Sequence, residues 1–164
     1  MRKLFLMIFS WFFYFQIVYC PALTIQQKEI LNFEIKKHFF VEEIRNKPMT
    51  SGLFIQALKY ELIDNPEIVH KQAVIEAGWF TSQVFLEGNN PIGMRLAKFR
   101  PTTAIGEIDC HAKYSSWHDA VVDYGLWQKW YKARGYDMTD YYTFLHEIGY
   151  AIDKRYIKKL KEII

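Results

Sequence analysis

Glu76 lies in the string Gln72-Ala-Val-Ile-Glu-Ala-Gly-Trp-Phe-Thr-Ser82, and a second string, Asn89-Asn-Pro-Ile-Gly-Met-Arg95, follows at once. An acid beside an indole and an amide pair has the chemistry to hold and cut a sugar chain. Cleavage of a glycosidic bond needs a carboxylic acid that keeps its proton near neutral pH and delivers it to the leaving oxygen. Trp79 can stack on the apolar face of a sugar, while Asn89 and Asn90 can bond acetamido and hydroxyl groups. Each also has a plainer reading: a solvated glutamate at a helix edge, a core tryptophan behind a helix end, a turn before Pro91. Their joint spacing behind one acid singles them out.

The element that must position Glu76 is a helix from Pro66 to about Ala77. Asp64-Asn65-Pro66-Glu67 offers a capping Asn, a proline at the first helical position and an acid in the first turn, and Gly78 suits the left-handed close. Val69, Gln72, Ala73 and Glu76 fall three and four apart, so one stripe ends in a carboxylate. The carbonyl end of a helix disfavours an ionised carboxylate, and burial beside Trp79 disfavours it further. Both push the Glu76 pKa upward, as a general acid requires.

Around that helix the pattern predicts helices over 23–46, 51–62, a short one over 81–87, one through Ala120, Tyr124 and Trp130, and two more over 139–148 and 153–164. Ser116 and Asp119 form a capping box for the longest of the later helices. Between 92 and 112 the helical period fails. Pro101 to Ile105 and the residues from Ile108 on suggest two short strands about a turn at Gly106-Glu107. The expected architecture is a mainly α domain carrying a small β-hairpin lobe, with a ligand cleft between helices and hairpin.

Residues 1–22 read as a signal peptide: a basic head at Arg2 and Lys3, an apolar run from Leu4 to Tyr19, and small residues Cys20 and Ala22 at the cleavage positions. A retained anchor is the alternative, although the run is at the short edge of the roughly 17 to 25 residues of a span. A lipid anchor would need cleavage before Cys20, where Tyr19 is bulky. The expected division is therefore a signal at 1–22 and one domain at 23–164, exported to the periplasm, envelope or exterior. Without Arg2 and Lys3 the formal charge of +3 falls to +1, which argues against a nucleic-acid footprint. Contact with a membrane is then expected only through the N-terminal segment. Cleavage after Ala22 leaves Cys110 as the sole cysteine, so no internal disulfide is expected. Cys110-His111 lacks the second ligand pair of a zinc site, and neither a metal nor a cofactor is expected.

These residues resemble the bacterial glucosaminidase domains that cleave peptidoglycan, classed with mannosyl-glycoprotein endo-β-N-acetylglucosaminidase-like proteins. The resemblance rests on Gln72, Ala73, Glu76, Gly78, Trp79 and Ser82, then on Asn89, Asn90, Gly93, Met94 and Arg95. It extends through Tyr114, Ser116, Ala120, Asp123 and Tyr124 to Tyr150-Ala151-Ile152-Asp153 with Tyr156. It covers Pro66 to the C-terminus. This chain differs in having Ala77 for Ser or Thr, Phe80 for glycine, and Pro91-Ile92 for Leu-Phe.

The resemblance implies a lysozyme-like α+β fold and hydrolysis of the β-1,4 bond after N-acetylglucosamine in peptidoglycan glycan strands, with Glu76 as proton donor. It adds Gln72 and Tyr114 to Trp79, Asn89 and Asn90 as substrate-binding positions. Glu107 is the first candidate for a second catalytic carboxylate, ahead of Asp109 and then Glu87. A carboxylate about 5 Å from the acid would be a nucleophile, whereas about 6.5 to 9.5 Å leaves room for water. A third route uses the substrate's own acetamido oxygen. The alternatives are a muramidase or lytic transglycosylase, a secreted glycan-binding module without turnover, and a helical protein whose groove binds a partner.

Overall fold

The computed structural model describes residues 23–44, 47–153 and 155–163. The expected export segment at 1–22 lies outside the described residues. Among those residues no helix is long and apolar enough to cross a membrane. The chain divides into a unit ending at Glu43 and a larger one, Ile44–Ile164.

Helix α1, Ile25–Ile44, makes up nearly all of the described first unit. The apolar spacing predicted this helix, but Ile25 and Ile30 remain exposed along it. The pattern suffices for a helix and not for a fully buried stripe.

In the larger unit, α2 (Ser51–Tyr60) starts on Thr50, whose hydroxyl accepts from the Leu53 amide. It buries Phe54, Ala57 and Leu58, which lie three and four residues apart along one face. Helix α3, Pro66–Glu76, has proline in its first turn, as predicted. Asn65 does not cap it through its side chain, however. It takes the left-handed conformation, which asparagine tolerates, and its amide donates to the Met138 carbonyl at 2.9 Å, tying the start of α3 to a distant loop. Val69, Gln72 and Ala73 are fully buried on the predicted stripe.

Helix α4, Gln83–Gly88, is capped by Ser82, and Gly88 packs so closely that a Cβ there would lie 2.8 Å from Ile108. The two strands β1 (Gly106–Ile108) and β2 (His111–Lys113) pair antiparallel, Glu107 opposite Ala112 and Ile108 opposite His111. The turn is therefore Asp109-Cys110, not Gly106-Glu107. Both turn residues have positive φ, at 46° and 60°, which matches the twist of a two-residue hairpin, whereas Gly106 adopts no such conformation.

Helix α5, Trp117–Lys132, carries the complete Ser116/Asp119 capping box that the sequence predicts. It sends Val121, Tyr124 and Gln128 into the core. Helix α6, Tyr141–Glu147, is capped by Asp140, and α7, Tyr156–Glu162, packs near α3 and returns Tyr156 to the middle of the unit.

Candidate active site

Glu76 is the last residue of α3, where the helix opens into a turn with Gly78, Trp79 and Phe80 all at positive φ (53°, 57° and 63°). Such a conformation costs a residue with a Cβ about 1–2 kcal/mol. At Phe80 the ring contacts of Phe54, His70 and Phe85 offset that cost. The turn ends the helix sharply and leaves the Glu76 carboxylate facing a cavity of about 440 Å³.

The carboxylate is crowded. Gly93, at φ +68°, lies against it so tightly that a Cβ would sit 3.2 Å from Glu76 Oε2, and the positive φ and the close contact together favour glycine there. The Tyr156 hydroxyl donates to Glu76 Oε1 at 2.9 Å. Burial raises the Glu76 pKa, and the Tyr156 hydrogen bond and the charge of His111 oppose it without cancelling it. Tyr156 itself is held well above the ordinary phenol range, chiefly by burial and then by the neighbouring Glu76 charge, so it stays a donor.

Behind the acid runs a buried polar chain. Tyr124 donates to Gln72 Oε1 at 2.9 Å and lies 2.6 Å from the Tyr141 hydroxyl, which also accepts from Gln128 Nε2 at 3.0 Å. Gln128 in turn clasps the backbone of Asp64 through both ends of its amide. The chain links α3, α5 and α6 to the loop before α3, and so fixes the helix that bears Glu76.

A second clamp holds the opposite wall. Asn90 is fully buried, accepts from the Met94 amide at 3.0 Å, and donates to the Met94 and Ala112 carbonyls at 2.8 Å each. The Ala112 amide donates to the Met94 carbonyl as well. The segment Asn90–Met94 is thus latched to β2 while Gly93 presses on Glu76. Arg95, Arg100 and His111 line the cavity beside Glu76, together with Trp127, Tyr131 and Tyr150. His111 Nδ1 lies 2.6 Å from the Asp109 carbonyl. Arg100 meets Asp123 bidentately at 2.7 and 2.9 Å, and Tyr114 donates to the same carboxylate at 2.8 Å.

The residues singled out in the sequence are therefore only partly gathered. Gln72, Asn90 and Tyr114 surround the site as buried framework: Asn90, Tyr114 and the Gln72 amide oxygen are engaged with protein partners, while Gln72 Nε2 is buried without a hydrogen-bond partner among the described residues. Asn89 is half-buried, closes α4 and donates to the Tyr114 carbonyl at 3.1 Å. Trp79 is 74% exposed and is not among the cavity-lining residues, so the crowding of Glu76 comes from Gly93 and Tyr156. Glu107 is exposed on β1, Asp109 is in the turn, and Glu87 is exposed on α4; none lines the cavity. Tyr156, His111 and Arg100 were not expected at the site. The motif ending in Tyr156 was the available signal for the first; spacing alone offers none for the others. Among the described residues no group of three or more His, Cys, Asp or Glu side chains could hold a metal ion.

The glucosaminidase family model, described as mannosyl-glycoprotein endo-beta-N-acetylglucosaminidase, matches residues 53–164. The chain belongs to the glucosaminidase family. Its helical body and two-stranded hairpin form the lysozyme-like α+β fold. Glucosaminidase membership supports glycosidase activity of the peptidoglycan-hydrolase type and a role in the cell envelope or outside the cell. The match begins within α2, upstream of the motifs at Pro66 and beyond, so these helices belong to the glucosaminidase domain. No curated protein and no solved structure gives a significant match to the chain.

Proposed function

We propose that the protein is an endo-β-N-acetylglucosaminidase that hydrolyses the β-1,4 bond after N-acetylglucosamine in peptidoglycan, with Glu76 as general acid. The observation that carries this reading is the Glu76 carboxyl, raised in pKa by burial and facing an open cavity under one phenolic donor. In the protonated form it delivers its proton to the leaving O4 as the C1–O4 bond breaks, and Tyr156 stabilises the carboxylate that remains. Gln72, Asn90 and Tyr114 act by holding the two walls, and Asn89 ties the end of α4 to the segment that follows β2. Trp79, exposed on the turn behind the acid, is a stacking platform for a sugar further along the strand.

Glu107 is our candidate for the second carboxylate, on the same two-stranded hairpin as His111, which lines the cavity. Export through residues 1–22 completes this reading, because the substrate lies outside the cytoplasm.

The experiment is muropeptide mass analysis with purified protein. Reducing-end N-acetylglucosamine supports the reading; N-acetylmuramic acid or its anhydro form assigns the protein to a different bond. Glu76→Gln keeps the shape and loses the acidic proton, so turnover is expected to fall by about 10²–10⁴-fold. Near wild-type turnover in that variant refutes the role of Glu76. A similar loss in Glu107→Gln assigns the second carboxylate, whereas retained turnover there favours attack by the substrate's acetamido oxygen.

A further inference from the structure

The cavity that holds Glu76 is lined by three basic side chains, Arg95, Arg100 and His111. Of these, Arg100 is spent on Asp123, with both guanidinium nitrogens engaged and the side chain almost fully buried. The His111 ring is tethered through Nδ1. Arg95 is different: it is exposed, lines the same cavity, and among the described residues has no ion pair or side-chain hydrogen bond.

Its backbone, by contrast, is not free. Met94 immediately before it is latched by Asn90 and by the Ala112 amide, and Gly93 touches Glu76. Two residues of extended chain span at most about 7 Å, so the Arg95 backbone is held within that reach of the glycine pressed on the acid. An uncommitted guanidinium on a fixed backbone beside a general acid suits a carboxylate on the substrate, which it can grip with two parallel hydrogen bonds.

The chemistry of the bond says where that carboxylate would be. If Glu76 protonates O4 of a muramoyl residue, the neighbouring ring carbon bears the lactyl ether. That ether ends in a carboxylate when peptide-free, or in a stem peptide with its own carboxylates. We infer that Arg95 is a specificity residue that binds the carboxylate carried by the lactyl ether or its stem peptide on the leaving-group sugar, and so selects anionic glycan over neutral chains. This inference rests on the glucosaminidase reading of the site.

The test compares wild type, Arg95→Gln and Arg95→Lys on three substrates: stem-bearing glycan fragments, peptide-free strands, and the same peptide-free strands with their carboxylates methyl-esterified. The wild type is expected to prefer the free carboxylate over its ester by about tenfold in kcat/KM, the scale of one charge-assisted contact. Arg95→Gln should erase that preference and Arg95→Lys should keep part of it. Loss on peptide-free strands assigns the lactyl carboxylate; loss confined to stem-bearing fragments assigns the peptide. An undiminished preference in Arg95→Gln, or an equal fall on free and esterified strands, overturns the inference.

Binding is measured in parallel by calorimetry in the Glu76→Gln background, with and without Arg95→Gln. If the wild type cleaves none of these strands, the proposed function fails, while the binding arm still reports whether Arg95 recognises the carboxylate. Equal affinities in that arm also overturn the inference.

Discussion

Two carboxylates near one cavity have opposite proton affinities. Burial raises Glu76, and one phenol with one more distant imidazole fails to pull it back. Burial raises Asp123 too, yet hydrogen bonds from Arg100, Thr102 and Tyr114 and the Arg100 charge outweigh it and hold this carboxyl below its usual range. Both groups are withdrawn from water, so burial alone does not decide protonation. The number and charge of the donors does. A full cationic clamp makes a structural anion; a single neutral donor leaves an acid able to part with its proton.

Removing the clamp should have the largest effect. Arg100→Met leaves Asp123 buried without its cation and is expected to cost about 3–5 kcal/mol by denaturant unfolding near neutral pH. Because the Asp123 pKa is lowered in the folded protein, the stability it contributes is present above the unfolded value, about 3.9, and is lost as pH falls through the folded value. The deficit of Arg100→Met should therefore shrink in acid. An equal deficit at all pH values would mean that lost packing, not lost charge, is the cause.

At Glu76 the sign reverses. Its folded pKa is raised, so above the unfolded value of about 4.3 the folded state binds more protons and stability falls as pH rises through the folded value. Glu76→Gln should consequently be more stable than wild type near neutral pH, with the difference fading below that window. A variant less stable than wild type at neutral pH would show that Glu76 is held as a structural anion, like Asp123.

Tyr156→Phe removes the one direct donor to the acid. The falling limb of the pH–rate profile, set by loss of the acid's proton, should move to higher pH. An unmoved limb would mean that Tyr156 serves packing alone. The smallest effect concerns the turn behind Glu76, which has no counterpart at Asp123 inside regular helix. Phe80→Ala and Phe80→Gly both lose the ring contacts, but glycine also relieves the positive φ. Phe80→Gly should therefore unfold at higher denaturant than Phe80→Ala, by about 1 kcal/mol. The reverse order would show that the turn relaxes when the ring is gone.

The legible parts of this molecule are local ones. The capping box at Ser116, the proline start and buried stripe of α3, and the placing of Glu76 at its end all follow from rules reaching three or four residues along the chain. The hairpin was legible as a hairpin but not in its register, because Asp109 and Cys110 adopt the left-handed conformation that the glycine of Gly106-Glu107 is better suited to supply. Trp79 shows the same limit: the string places it after the acid, while three successive left-handed residues turn its ring out to solvent.

The sequence by itself determined the family, the candidate carboxylate Glu76 and the helix end that presents it, since each depends on residue identity and short spacing. Only the tertiary structure decided what surrounds that acid. Tyr156 arrives from 80 residues away, and Asp123 lies 23 residues beyond Arg100. Proton affinity is set by desolvation and by donors within a few ångströms, whatever their separation along the chain. That is why Glu76 could be named from the sequence, while its contrast with Asp123 had to be found in the fold.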